Sequence, residues 1–355
     1  MVKNTFKVRL VNLLVFAAVL CTVTFSTGCV ISPRRTLGGG TGGTPTPTPV
    51  GGNPGKLYVA NGNSILRFDD ASTASGNLAP AATISGASTQ LSSPQHIFVD
   101  GAADRLFVAN QGGASVLVFD GISTKSGNVA PARTLSGAAT GLQSPVDVAL
   151  DATKDLLYVA DGRDVLVFGS GSTATGNILF QHDIQAGFII SAMFLDSANN
   201  RLFLADSGAN AINIYDGASN LNLKVAPTRA IIGTATQLNQ PSGVAVDAVN
   251  KLIVGNAGGN SITIYINAGA ASGNVAPSVV IAGANTTLNV PAQIAVNKSN
   301  TLVEAFVANS GGANVPAFSD LGSKSGNVAP SRDIAGSSTT LTVAGVKGIT
   351  LDTTR

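Results

Sequence analysis

Few residues in this chain are able to do chemistry. It holds two histidines, His96 and His182, and two cysteines, Cys21 and Cys29. Its single glutamate is Glu304, so every other acid is an aspartate. Three polar residues stand out by position: His96 in "SPQHIFVD", Asp147 in "SPVDVALD" and Gln293 in "VPAQIAVN". Related segments carry glycine there, as Gly243 in "PSGVAVD" and Gly348 in "VKGITLD", or alanine, as Ala192 in "SAMFLD". One residue earlier stand Gln95, Ser191, Ser242 and Lys347. An imidazole beside a carboxylate is the material of acid–base chemistry or of a metal site. A carboxamide offers a ligand both donors and an acceptor. The plainer alternative is a wet channel that tolerates polar side chains. No G-x-S-x-G elbow occurs, and no catalytic residue, metal ligand or cofactor is assigned.

These segments belong to a repeat. "SGNVAP" occurs at Ser126–Pro131, Ser272–Pro277 and Ser325–Pro330, and "SGNLAP" at Ser75–Pro80. Worn copies, "TGNILF" and "NLKVAP", lie at Thr175–Phe180 and Asn222–Pro227. From Ser75 to Ser126 is 51 residues, and from Ser272 to Ser325 is 53. Each unit holds four short apolar runs, for example "HIFVD", "RLFVAN", "SVLVFD" and "ARTLSG". Runs rich in Val, Ile, Leu, Phe and Tyr, bounded by Gly, Asn, Asp and Pro, are strands. Four antiparallel strands repeated about every 50 residues predict an all-β, six-bladed β-propeller.

The ends of the repeat array predict how the ring closes. It enters at "KLYVAN" (Lys56–Asn61), a second strand without its first, and ends in "GITLD" (Gly348–Asp352), a first strand without its second. Pairing these two completes the last blade and removes an open sheet edge. First strands line a propeller's channel, so His96, Asp147 and Gln293 are expected at one mouth. Gln95, Ser191, Ser242 and Lys347 are expected to rim it. The candidate binding set is His96, Asp147, Gln293 and Lys347.

"PSGVAVD" followed by "KLIVGN" resembles the NHL repeat, whose units carry a P-x-G-I-A-V-D strand and then L-Y-V-A-D/N. The resemblance covers residues 56–355 and implies the six-bladed fold. It leaves function open, since this architecture hosts enzymes, ligand binders and interaction platforms. Gluconolactonase-like propellers of this shape hold a divalent metal with Glu, Asn and Asp at the channel. Amidating-lyase relatives of NHL propellers use several histidines for zinc. Here Glu304 precedes a second strand, away from the expected mouth, and His96 alone among the histidines is suitably placed. A metal-dependent lactonase- or lyase-like enzyme is therefore the alternative reading. A binding or scaffold module for a protein or peptide leads.

Other features have structural readings. Asp100, Asp151, Asp196, Asp247, Asn297 and Asp352 end the first strands and invite a calcium ring, but each starts a tight turn that it can cap. Asn61, Asn110, Asp161, Asp206, Asn256 and Asn309 at the second-strand ends are read the same way. "SGNVAP" is expected to connect third and fourth strands, with Gly-Asn turning and Ala-Pro opening an outer edge strand. His182 is expected as an exposed outer-rim residue. The segment around it, "NILFQHDIQAGFIISAMF", lacks the "SGxxTxLxxP" loop seen at Ser136–Pro145, and Phe180 and Phe188 are expected to repack that blade, the alternative being an asymmetric contact patch.

The N-terminal region bears on location. Lys3, Lys7 and Arg9 precede an apolar run, Leu10–Phe25, of 16 residues, short for a bilayer span. Ser26-Thr27-Gly28 before Cys29 resembles a bacterial lipoprotein signal, although Ser26 stands where that signal usually has Leu. The resemblance implies a signal at 1–28 and lipid on Cys29. Val30, rather than Asp, after the cysteine implies the outer membrane more than the inner. Residues 29–55 then read as a Gly/Thr/Pro-rich tether and 56–355 as the propeller. Five basic residues of the 21 lie before residue 56 and all 19 acids after it, so the propeller carries 16 − 19 = −3. No basic stripe is present, which argues against nucleic acid. The expected state is a monomer, held at the membrane by its lipid.

Overall fold

The computed structural model describes residues 55–297 and 303–355 of the chain. The expected signal, Cys29 and all of the tether but Gly55 lie outside the described residues. The described residues fall in one unit, Pro49–Arg355.

Six sheets form a ring, each built on four antiparallel strands, which in five of the sheets follow sequence order from the axis outward. Blade 2, for example, runs Pro94–Asp100, Arg105–Asn110, Ser115–Asp120 and Arg133–Ser136. Blades 3, 4, 5 and 6 begin with the inner strands Pro145–Asp151, Ile190–Asp196, Pro241–Val246 and Pro291–Asn297. Blade 1 joins the two ends of the described chain. Val346–Asp352 pairs antiparallel with Lys56–Asn61, in the register Lys56↔Asp352 through Ala60↔Gly348. The expected closure is therefore observed.

Each blade is sandwiched between two others, so its middle strands are buried on both faces. This is why they read as continuous apolar runs rather than alternating ones. Phe107, Val116 and Leu135 of blade 2 meet Val148, Leu157 and Phe168 of blade 3 in one such cluster. Fully burying a side chain of this size is worth about 1.5–3 kcal/mol. Six comparable clusters between neighbours dominate the cohesion of the ring.

The repeated hexapeptide turns out to reach across blades. Gly127 of "SGNVAP" forms a parallel bridge to Ile84 of the preceding blade, donating its N–H to Thr83 O at 2.7 Å. Asn128 Oδ1 accepts the Ser88 N–H at 2.8 Å, fastening the short helical turn that follows that blade's outer strand. Asn177, Asn274, Asn327 and Asn77 do the same for Ala139, Asn285's counterpart Ala235, Asn285 and Ser338. The glycine of each receiving loop is required twice over. Gly137 has φ +115°, and a Cβ there would lie 2.6 Å from Asn177.

Blade 3 departs from the pattern where the sequence does. The short connection Ala186–Ile189 replaces the eight-residue loop found at Gly137–Ser144. At this junction the worn motif "NLKVAP" supplies a two-residue strand, Leu223–Lys224, parallel to His182–Gln185. Phe180 and Phe188 both pack onto core clusters, as expected. Phe180 reaches Gly141, where a Cβ would stand 3.3 Å from its ring. His182 is half-buried rather than exposed, and its Nδ1 is out of solvent with no partner. The added Leu223–Lys224 strand covers that edge.

Candidate functional site

The inner strands place the sequence-selected residues as follows. His96 Nδ1 lies 2.8 Å from Asp147 Oδ2, joining blades 2 and 3, and both side chains are buried. The other claims on Asp147 come from the backbone. Its Oδ1 accepts the Val148 N–H and its Oδ2 the Met193 N–H, each at 2.8 Å.

Gln293 crosses from blade 6. Its Oε1 accepts the Ile349 N–H at 2.8 Å and the Ile97 N–H at 3.0 Å, and its Nε2 donates to Ile97 O at 3.0 Å. One amide thus ties blade 6 to blades 1 and 2. Lys347 does not join the group; its Nζ points to Ser310 Oγ at 3.4 Å. Ser191 and Ser242 act as staples between inner strands, donating to Pro241 O and Pro291 O of the next blade. Gln95 turns to Ser93 O and Gln111. The glycines at the His96 position also have a cause. A Cβ on Gly243 or Gly348 would strike the carbonyl of Ala292 or Gln95 on the following blade.

These contacts make Asp147 and Gln293 one end of an axial cavity of about 320 Å³, with walls from all six inner strands. The other end reaches Ser197, which is exposed, and Thr353, in the turns after the inner strands. Most of the lining side chains are apolar, with Phe98, Leu195, Val296 and Leu351 half-buried, while polar atoms make up about half of the exposed lining. The accessible face of the axis is therefore the strand-end side, opposite the mouth singled out from the sequence. That reasoning weighed polar departures from the repeat and passed over the half-buried apolar residues. The signal available was the run of large residues in "IFVD", "MFLD" and "ITLD".

A second hollow of about 240 Å³ lies between blades 4 and 5, beside Asp196, Asn199, Asp247 and Asn250. The strand-end acids are occupied with their own turns. Asp151 Oδ1 accepts Thr153 and Lys154 N–H, Asp247 Oδ1 those of Val249 and Lys251, and Asp352 that of Thr354. Among the described residues no three His, Cys, Asp or Glu side chains are grouped to hold a metal. The second-strand ends behave alike. Asn110, Asn256 and Asn309 accept loop N–H groups from Ser92, Asn239 and Asn289. Asp206, facing the shortened loop, instead caps Gly208 and Ala209 of its own turn.

No family model and no curated protein matches this sequence. Solved structures do share its shape. A chain of a nidogen/laminin complex superposes with a TM-score of 0.57 at 14% identity, covering 84% of this chain and 98% of that one. A functionally unknown protein from Desulfotomaculum acetoxidans DSM 771 superposes with a TM-score of 0.54 at 12% identity, covering 83% and 98%. At such identities the likeness is one of fold alone. The fold and cavity define the class as six-bladed β-propeller.

Proposed function

We propose that this protein is a binding module whose axial cavity receives part of a protein or peptide partner. One observation carries the reading: the axial cavity whose lining comes from every blade and extends to the strand-end turns. A concave space that combines apolar side chains with convergent polar groups is the common form of a ligand site. A likeness to a chain crystallised in a nidogen/laminin complex is compatible with a partner-binding role. The propeller is of the NHL-repeat type in this reading, and Cys29 carries lipid that holds it at the bacterial envelope, on the outer membrane. Labelled palmitate fed to cells would then mark the protein, and Cys29→Ser would abolish the label.

A selection of random cyclic peptides on the full chain in detergent tests the binding role. Enriched peptides are expected to lose about tenfold or more in affinity, about 1.4 kcal/mol, when Ala295→Phe or Ala245→Phe fills the cavity. Peptides indifferent to both changes, yet weakened by Leu179→Ser or Leu223→Ser on the outer rim, would overturn it. Both leucines are exposed, at 75% and 61%.

A further inference from the structure

At the inner end of the cavity the six inner strands present a ring of backbone N–H groups. Ile97, Met193 and Ile349 give theirs to side chains of other blades, Gln293 or Asp147, and Val148 gives its own to Asp147 beside it. Each stands just after the irregularity at its strand start, opposite Val108, Val159, Leu204 and Val59. Val244 and Ile294 occupy the same register position, opposite Val254 and Val307. In an antiparallel pair the alternate residues turn both N–H and C=O away from the partner strand. The N–H groups of Val244 and Ile294 therefore face the axis too, and both residues line the cavity.

The six donors fall into three pairs on adjacent blades. Gln293 Oε1 serves Ile349 and Ile97, on blades 1 and 2. Asp147 serves Val148 and Met193, on blades 3 and 4. The third pair, Val244 and Ile294 on blades 5 and 6, meets no side-chain acceptor among the described residues, and the inner-strand position that supplies Asp147 on blade 3 is Gly243 on blade 5. An N–H that faces the cavity takes its acceptor from what enters it, water or the oxygen of a ligand. The side chains beside this pair are also short. The next residues on these two blades are Ala245 and Ala295, where blades 2 and 4 carry Phe98 and Phe194 and blade 3 carries Ala149.

We propose that the Val244 and Ile294 pair binds a neutral oxygen acceptor, a primary amide or other carbonyl, carried on a short apolar stem that fills the cavity. This rests on the reading of the axial cavity as the binding site. Charge selects the neutral group. A carboxylate would share the ring with Asp147, and an ammonium has no lone pair to offer the N–H groups. The amide is favoured among acceptors because inward C=O groups accompany the inward N–H groups, as Gln293 already demonstrates at Ile97. The stem would lie along Ala245 and Ala295 and leave between Val296 and Leu351. A peptide asparagine or glutamine and a free small amide share this chemistry.

The test titrates the full chain in detergent micelles with hexanamide, hexanoate and hexylammonium. Calorimetry gives affinity, and ¹⁵N–¹H spectra of valine- and isoleucine-labelled protein report the site, with Val244→Ile and Ile294→Val assigning the two amides. Hexanamide is expected to bind about tenfold tighter than either ion and to move both amide protons downfield. Ala295→Phe is expected to remove both effects; the shifts are read on the unaltered chain, so a misfolded variant leaves the test intact. An asparagine-bearing selected peptide moving the same two resonances would identify the peptide as the source. Absence of hexanamide binding, equal binding of hexanoate, or binding that leaves the two amides unmoved overturns the proposal. If hexanamide fails while selected peptides still depend on the cavity, the amide chemistry falls and the binding role stands. If peptides ignore the cavity as well, both fall.

Discussion

Asp147 accepts two backbone N–H groups and faces His96 Nδ1, all out of solvent. Truncating it strands three donors, whereas truncating His96 leaves the carboxylate two of its three partners. Asp147→Ala is thus expected to cost about 3 kcal/mol and His96→Ala about 1 kcal/mol in urea unfolding. Equal costs would mean that the His–Asp contact, rather than the backbone caps, holds the site. A different carboxylate governs acid behaviour. Hydrogen bonds from Arg229 and Arg201 lower Asp216 from its ordinary 3.8 to about 2. A lowered folded-state value contributes stability that is present above about pH 4 and lost as pH falls through about 2. The Tm gap between the native chain and Asp216→Asn is expected to be steady at neutral pH and to close between pH 4 and 2. Because the Asp216 side chain is 37% exposed, the gap corresponds to about 1 kcal/mol or less. A gap unchanged at pH 2 would contradict the pairing.

At the scale of the element, the shortened Ala186–Ile189 connection has a specific cost. Tyr265 donates its hydroxyl to Thr236 O in the eight-residue loop of the preceding blade. Tyr215 holds the same place one blade earlier, where that loop is missing, and its hydroxyl is buried with no partner. Tyr265→Phe is expected to cost about 1 kcal/mol, and Tyr215→Phe to be neutral or stabilising. A comparable loss in both would show that Tyr215 has a partner after all. Strand positions, ring closure and the capping aspartates were legible in the sequence, because they follow from local periodicity and turn chemistry. The cross-blade use of "SGN" was not, because Asn128 and Ser88 lie 40 residues apart and the motif also fits a plain turn. His96 and Asp147 could be placed on neighbouring blades by counting repeats. That the oxygens of Asp147 are taken by backbone N–H groups as well as by His96, and that Lys347 stands apart, depends on side-chain directions which the repeat does not encode.

Over the whole molecule, each blade contributes one inner strand to the axis, so six similar strands with different third residues build one asymmetric cavity. Repetition supplies the rigid ring, and departures from repetition supply its chemistry. Asp147, held by His96, and Gln293 stand at one end, Phe98, Leu195 and Leu351 along the sides, and Ser197 and Thr353 at the other end. The central claim is that partners enter from the strand-end side. Hydrogen–deuterium exchange of the full chain, with and without a selected peptide, tests it most directly. Protection is expected in the turns after the inner strands, around Gly101–Asp104, Ser197–Asn200 and Thr353–Arg355, and at Val244 and Ile294. Protection confined to the opposite loops, such as Gly137–Ser144, or to the outer rim near Leu179 and Leu223, would contradict it.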